Sequence, residues 1–122
     1  MSVPSGRFTV TDLRSGLCLG DRVEKADRFL PRLKGLLGRA GLAEGEGLLL
    51  EDCASVHTCF MRFSIDLCFL GAGDEVVRVV EALGPWRAAS AVGARRVLEL
   101  PAGAVRRADL RQGDVQEVSA CV

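Results

Sequence analysis

I-D-L-C-F-L at Ile65–Leu70, G-A-G-D at 71–74 and E-V-V-R-V-V-E at 75–81 decide the fold, because together they read as two strands joined by a tight turn. The first run is almost wholly aliphatic or aromatic, and Val76, Val77, Val79 and Val80 put apolar groups on both sides of the second. Strands with two apolar faces must be covered on both, as in a β-sandwich or a closed barrel.

On the C-terminal side, Gly84, Pro85 and Trp86 form a turn and loop. Residues 96–100 then make another strand, with Leu98 and Leu100 on one face and Val97 and Glu99 on the other. Pro101 suits the first position of a short helix running to about Ala108. Gly113 and Asp114 turn the chain into a last strand at 115–118.

On the N-terminal side, strand-rich sequence begins at 48–50, after a loop at 38–47 that contains four glycines. Before it the period changes. Asp27 can cap a helix, Pro31 falls in its first turn, Phe29, Leu30, Leu33, Leu36 and Leu37 make one apolar stripe, and Gly38 can stop it. Phe8, Val10 and Leu13 mark an opening strand, which Ser15 and Gly16 turn into a second one ending near Val23.

The 122 residues suit one domain over 1–122, and 48% hydrophobic with 26% charged residues lies far from the signature of disorder. Sixteen basic residues balance sixteen acidic ones, which argues against nucleic acid or an anionic membrane surface as a partner. The pairs Arg95 with Arg96 and Arg106 with Arg107 read as solvated faces. No export-signal pattern and no apolar run near the roughly 20 residues of a membrane span is present, so the expected location is the cytoplasm. Five cysteines, at 18, 53, 59, 68 and 121, include no C-x-x-C pair, which predicts reduced thiols. No cofactor is expected.

Five segments carry a family resemblance: K-G-L-L-G-R at 34–39, G-E-G-L-L-L at 45–50, I-D-L-C-F-L, L-E-L-P-A-G at 98–103 and Q-G-D at 112–114. In this order they resemble domain-of-unknown-function family 192, over about residues 7–118. The resemblance implies a compact, mainly β, jelly-roll-like fold with one or two short helices, and no assigned reaction. Many members of that family have a tryptophan-methionine-lysine-asparagine stretch where this chain has His57, Thr58, Cys59 and Phe60. The chain is more similar to a subgroup with the pattern H-T-x-x-M-R-F-P-I-D, with Ser64 in place of the proline. That likeness points to secretion or pilus-assembly components as partners.

His57 to Asp66 also concentrates the groups capable of chemistry. His57 is the one side chain whose unperturbed pKa lies near neutrality, making it the first candidate for proton transfer or metal ligation, although a hydrogen-bonded structural role outweighs both ligand or partner recognition and catalysis. Strand alternation predicts His57, Cys59, Met61 and Phe63 on one face and Thr58, Phe60 and Arg62 on the other. Cys59 reads as a buried thiol rather than a nucleophile, since no motif announces a thiolate-favouring site. A zinc site built from His57, Cys59 and Cys53 or Asp66 has no recognised spacing, so no metal is expected.

Arg62 and Asp66 read as a structural ion pair ahead of a substrate clamp. Trp86 with Arg87 suits either a recognition surface or closure of the core. Glu99, inside an apolar strand, needs solvent, a donor or a basic partner such as Arg62 or Arg95, and is a candidate acid or base. The leading expectation is a non-enzymatic binding or accessory module, with a protein or small ligand bound at His57, Thr58, Arg62, Asp66, Trp86 and Arg87. The alternative is a small hydrolase-like enzyme using His57 as general base, assisted by Cys59, Asp66 or Glu99.

Overall fold

A computed structural model describes residues 7–27, 41–59 and 61–120. Its strands are β1 (Arg7–Asp12), β2 (Cys18–Asp27), β3 (Glu46–Glu51), β4 (Ser55–His57), β5 (Ile65–Leu70), β6 (Val76–Leu83), β7 (Ala88–Ser90), β8 (Arg96–Pro101) and β9 (Gln116–Ala120), with a short helix α1 (Ala104–Arg107) after β8. The helix expected from Asp27 to Gly38 falls almost entirely outside the described residues; Asp27 itself ends β2. No helix among the described residues is long and apolar enough to cross a membrane.

Seven strands form one mixed sheet in the order β6-β5-β8-β3-β2-β1-β9, and β4 pairs with β7 in a separate ribbon. All neighbours are antiparallel except β2 and β3. The sheet is not a closed barrel. Its two edge strands approach at one end only, through a bridge between Glu75 and Val115 and a bond from Val76 N–H to the Asp114 carbonyl at 2.8 Å.

The Ile65–Leu70 hairpin with β6 forms as the sequence predicts, closed by Gly71 N–H to the Glu75 carbonyl at 2.8 Å. All six residues of β5 are buried, because β6 and β8 flank it and both faces are covered. One apolar cluster draws on every strand of the large sheet, including Val10, Val23, Leu49, Cys68, Leu98 and Val118, and α1 packs against it through Ala104, joined by Ala108 just past the helix. On the other face, Leu48, Leu50, Ile65, Leu67, Phe69 and Val97 meet the ribbon through Val56 and Ala89. Leu98 and Leu100 thus share a face opposite Val97, as expected.

Three features differ from the sequence reading. β2 continues past Val23 to Asp27 because β3 pairs with it from Arg22 onward. β6 is an edge strand, half-buried at Val77, Val79 and Val80 instead of fully covered. Pro101 ends β8 and is buried, while α1 starts after Gly103, whose left-handed φ of 97° turns the chain out of the sheet.

Charged groups lock the sheet ends. Arg96 donates Nε and Nη2 to Glu51 at 3.0 and 3.1 Å, and Nη1 to both oxygens of Asp74 at 2.8 Å. Those bonds from Arg96 hold the Glu51 carboxyl below its ordinary range against the opposing effect of burial. At the other end, buried Asp12 accepts from Ser15 N–H and Gln116 Nε2, at 3.2 and 2.8 Å. Burial works against the Asp114 carboxylate, but the Arg14 guanidinium at 2.9 Å and the Arg111 N–H at 3.0 Å hold its pKa low.

Candidate functional site

The motif at His57 to Asp66 is not one strand. β4 ends at His57, Thr58 and Cys59 enter a turn closed by Met61 N–H to the Thr58 carbonyl at 3.1 Å, and strand structure resumes at Ile65. The expected alternation therefore fails: Thr58 and Met61 are both buried, His57 and Arg62 are exposed, and Cys59 is half-buried. Phe60 lies outside the described residues.

Thr58 is the hinge of this corner. Its N–H donates to the Arg87 carbonyl at 2.8 Å, its hydroxyl donates to the Gly84 carbonyl at 2.6 Å, and its Oγ1 accepts Arg87 N–H at 2.9 Å. Its carbonyl accepts Trp86 N–H at 3.1 Å. These bonds hold Trp86 in a left-handed conformation, φ 62°, with 62% of its surface exposed. A large aromatic residue adopts that backbone region at a cost, so the surrounding bonds must over-determine it. Arg87 is exposed beside it, and Ala88 stands opposite His57 in the β4–β7 ribbon.

His57 also borders a recess of about 440 Å³ with Asp52, Cys53, Ser55 and Ala88. The Cys53 thiol donates to the Ser55 carbonyl at 3.0 Å. Sequence reading missed Asp52 and Ser55 as neighbours of His57. The signal was the alternation in S-V-H, exposed, buried, exposed, which sets Ser55 and His57 on one side.

Asp66 and Glu99 lie elsewhere. Asp66 Oδ1 accepts Ala82 N–H at 2.8 Å, and Oδ2 accepts Gly103 and Val105 N–H at 3.0 and 3.1 Å. The expected pair with Arg62 does not form, because Arg62 is exposed in the segment before β5 and both Asp66 oxygens serve backbone donors. Glu99 is buried within the sheet, in register between Leu48 and Leu67. Asp66 pairs across from Leu100 on the opposite face from Glu99. His57, Asp66 and Glu99 thus do not converge. Among the described residues no cluster of His, Cys, Asp or Glu fits a metal ion.

The large mixed sheet carrying an outer two-stranded ribbon, with its polar corner at Thr58, defines a class of small β domains with no assigned chemistry. The family model described as "Uncharacterized ACR" matches residues 10–118, and the chain belongs to this family, domain-of-unknown-function family 192. It is similar to a UPF0127 protein of Thermococcus sibiricus, 34% identical over 98 residues, which cover 76% of this chain and 63% of that protein. The chain thus spans less than two-thirds of that relative's length.

Two solved structures are similar. One is a protein of unknown function from Novosphingobium aromaticivorans, 27% identical with a TM-score of 0.75, covering 90% of this chain and 82% of its own. The other is a Sinorhizobium meliloti protein described as a "putative transcription regulator", 24% identical with a TM-score of 0.79, covering 97% of this chain and 96% of its own. The likeness to the second is one of fold alone.

Proposed function

We propose that this chain is a non-enzymatic binding or accessory module that works in the cytoplasm, and that its recognition surface is the corner of Trp86, Arg87 and His57 built on Thr58. One observation carries the reading: Trp86 is 62% exposed in a left-handed conformation fixed by its N–H to the Thr58 carbonyl. Strained backbone clusters at functional sites, and tryptophan and arginine are enriched among the few residues that dominate binding energy at contact surfaces. Secretion or pilus-assembly components are the partners this reading favours.

The protein contains one tryptophan and no tyrosine, so its emission reports on Trp86 alone. Calorimetric titration with purified secretion or pilus-assembly components is expected to yield saturable binding that Trp86→Ala abolishes, and a shift in the Trp86 emission with a tryptophan-free peptide from such a component. Binding unaffected by Trp86→Ala would overturn the surface.

A hydrolase-like reading has one observation in its favour, the recess shared by His57, Asp52, Cys53 and Ser55. It predicts turnover in a broad screen of ester, thioester and amide substrates that disappears in His57→Ala with the melting temperature unchanged. That outcome would replace the non-enzymatic reading.

A further inference from the structure

We infer that the outer edge of β4 takes up an extended, acidic segment of a partner protein as an added antiparallel strand, an inference that rests on the recognition surface above and names its partner class. Thr58 N–H bonds to the Arg87 carbonyl at one end of the β4–β7 register, and Ala91 N–H bonds to the Ala54 carbonyl at 3.1 Å at the other. Antiparallel pairs alternate between bonded and non-bonded, so Val56 with Ala89 is the bonded pair between those two. Ser55 and His57 on β4, and Ala88 and Ser90 on β7, therefore turn their N–H and C=O groups away from the ribbon.

On the β7 side this outward direction is in use, since the Ser90 carbonyl accepts Arg78 Nη1. On the β4 side the Ser55 carbonyl accepts the Cys53 thiol. The N–H groups of Ser55 and His57 and the His57 carbonyl meet no protein partner among the described residues, because β4 pairs with β7 alone. Both residues are exposed, and the recess of about 440 Å³ runs along residues 52–57 beside them. A strand edge with free donors and an acceptor next to a recess is the geometry of β-strand addition, in which main-chain bonds give affinity and flanking side chains select.

The charges flanking this edge choose the segment. Arg95 stands at its Cys53 end, where its carbonyl accepts Cys53 N–H at 3.0 Å, and Arg87 stands at the Thr58 end. Both are exposed, and neither enters an ion pair among the described residues. Asp52 is the one acidic residue lining the recess among the described residues. Two guanidinium groups outside any ion pair among the described residues, against one carboxylate, favour glutamate or aspartate on the incoming strand over lysine or arginine.

The test uses the full chain and an octapeptide of alternating valine and glutamate, with a valine-lysine peptide and a backbone N-methylated valine-glutamate peptide as controls. Ser55→Pro removes an outward N–H without touching the ladder to β7, and Ser55→Ala controls for the lost hydroxyl. Calorimetry is expected to show binding of the valine-glutamate peptide, about ten-fold weaker for Ser55→Pro than for Ser55→Ala, and about ten-fold weaker again for either control peptide on the wild type. The Ser55 and His57 amides of the wild type are expected to exchange hydrogen more slowly with the peptide bound, a readout that does not depend on any variant folding.

Equal binding by Ser55→Pro and Ser55→Ala, unchanged exchange at those amides, or no binding of the acidic peptide would each overturn strand addition. A dimer that Ser55→Pro dissociates would assign the edge to a second copy and overturn it too. Failure of the recognition surface is separable: there the peptide binds with Ser55 and His57 protected while Trp86→Ala has no effect.

Discussion

Asp66 Oδ2 accepts the backbone N–H of Gly103 at 3.0 Å, joining the interior of β5 to the residue just before α1. Gly103 has no side chain with which to cap that helix, and the carboxylate supplies the cap from 37 residues away, reaching Val105 N–H as well. Its other oxygen holds Ala82 N–H where β6 bulges against β5 in a left-handed turn, φ 52°.

Asp66→Ala is therefore expected to destabilise the domain by about 3 kcal/mol, since three backbone donors lose a buried, charged acceptor. Asp66→Asn is expected to cost less, because one amide oxygen still accepts. Urea denaturation checks both; a loss below about 1 kcal/mol for Asp66→Ala would contradict this role.

Leu98 is fully buried in the cluster that all strands of the large sheet share. Leu98→Ala is expected to cost about 2–5 kcal/mol through lost burial and a residual cavity. Chemical denaturation with an unchanged m-value would show that the effect lies in the folded state.

The strands were legible where periodicity and turn chemistry agreed, as in the hairpin of β5 and β6 and the facing of Leu98 and Leu100. The site was less legible for a physical reason. Thr58 and Asp66 spend their polar atoms on backbone groups 16 to 39 residues distant, and no local pattern in the sequence specifies such partners. The His57 segment also looks strand-like because Val56, Thr58 and Phe63 are β-branched or aromatic, yet the turn at Thr58 is set by bonds to the loop of Gly84, Trp86 and Arg87. Pro101 misplaced the helix start because burial against the sheet outweighed its preference for a first helical turn.

Glu51 and Asp114 both titrate below their ordinary values in the folded protein. A depressed folded-state pKa contributes stability that is present above the unfolded value, about 4, and is lost as pH falls through the lower folded value. Stability is thus expected to be level near neutrality with respect to these groups and to decline below about pH 4. Arg14→Met and Arg96→Met should each flatten part of that decline, which denaturation curves between pH 2 and pH 7 would show; identical slopes in wild type and variants would refute the assignment.

The thiols should differ in reactivity. Cys18 is exposed, whereas Cys53 and Cys68 are buried, and burial, reinforced by Asp12 and Asp114, pushes the Cys68 thiol far above its ordinary range. Labelling of the native protein is expected to modify Cys18 first and Cys68 only on unfolding. Denaturation without reductant should then expose five reactive thiols, and a smaller number in fresh protein would count against the reduced state.

Thr58 and His57 are neighbours in sequence with opposite duties, and paired substitutions separate them. Thr58 is fully buried, and its hydroxyl links the Gly84 carbonyl to Arg87 N–H, so Thr58→Val leaves both without that partner at a cost of about 1–3 kcal/mol. The same change frees the loop that presents Trp86, and the emission of the single tryptophan should shift even without ligand. His57 is exposed on a ribbon edge, so His57→Ala should stay within about 0.5 kcal/mol of wild type. A large loss of stability in His57→Ala would mean that the imidazole is structural, and its effects on binding or turnover would then say nothing about a site. Stability matching the wild type makes any functional loss in that variant a direct report on recognition.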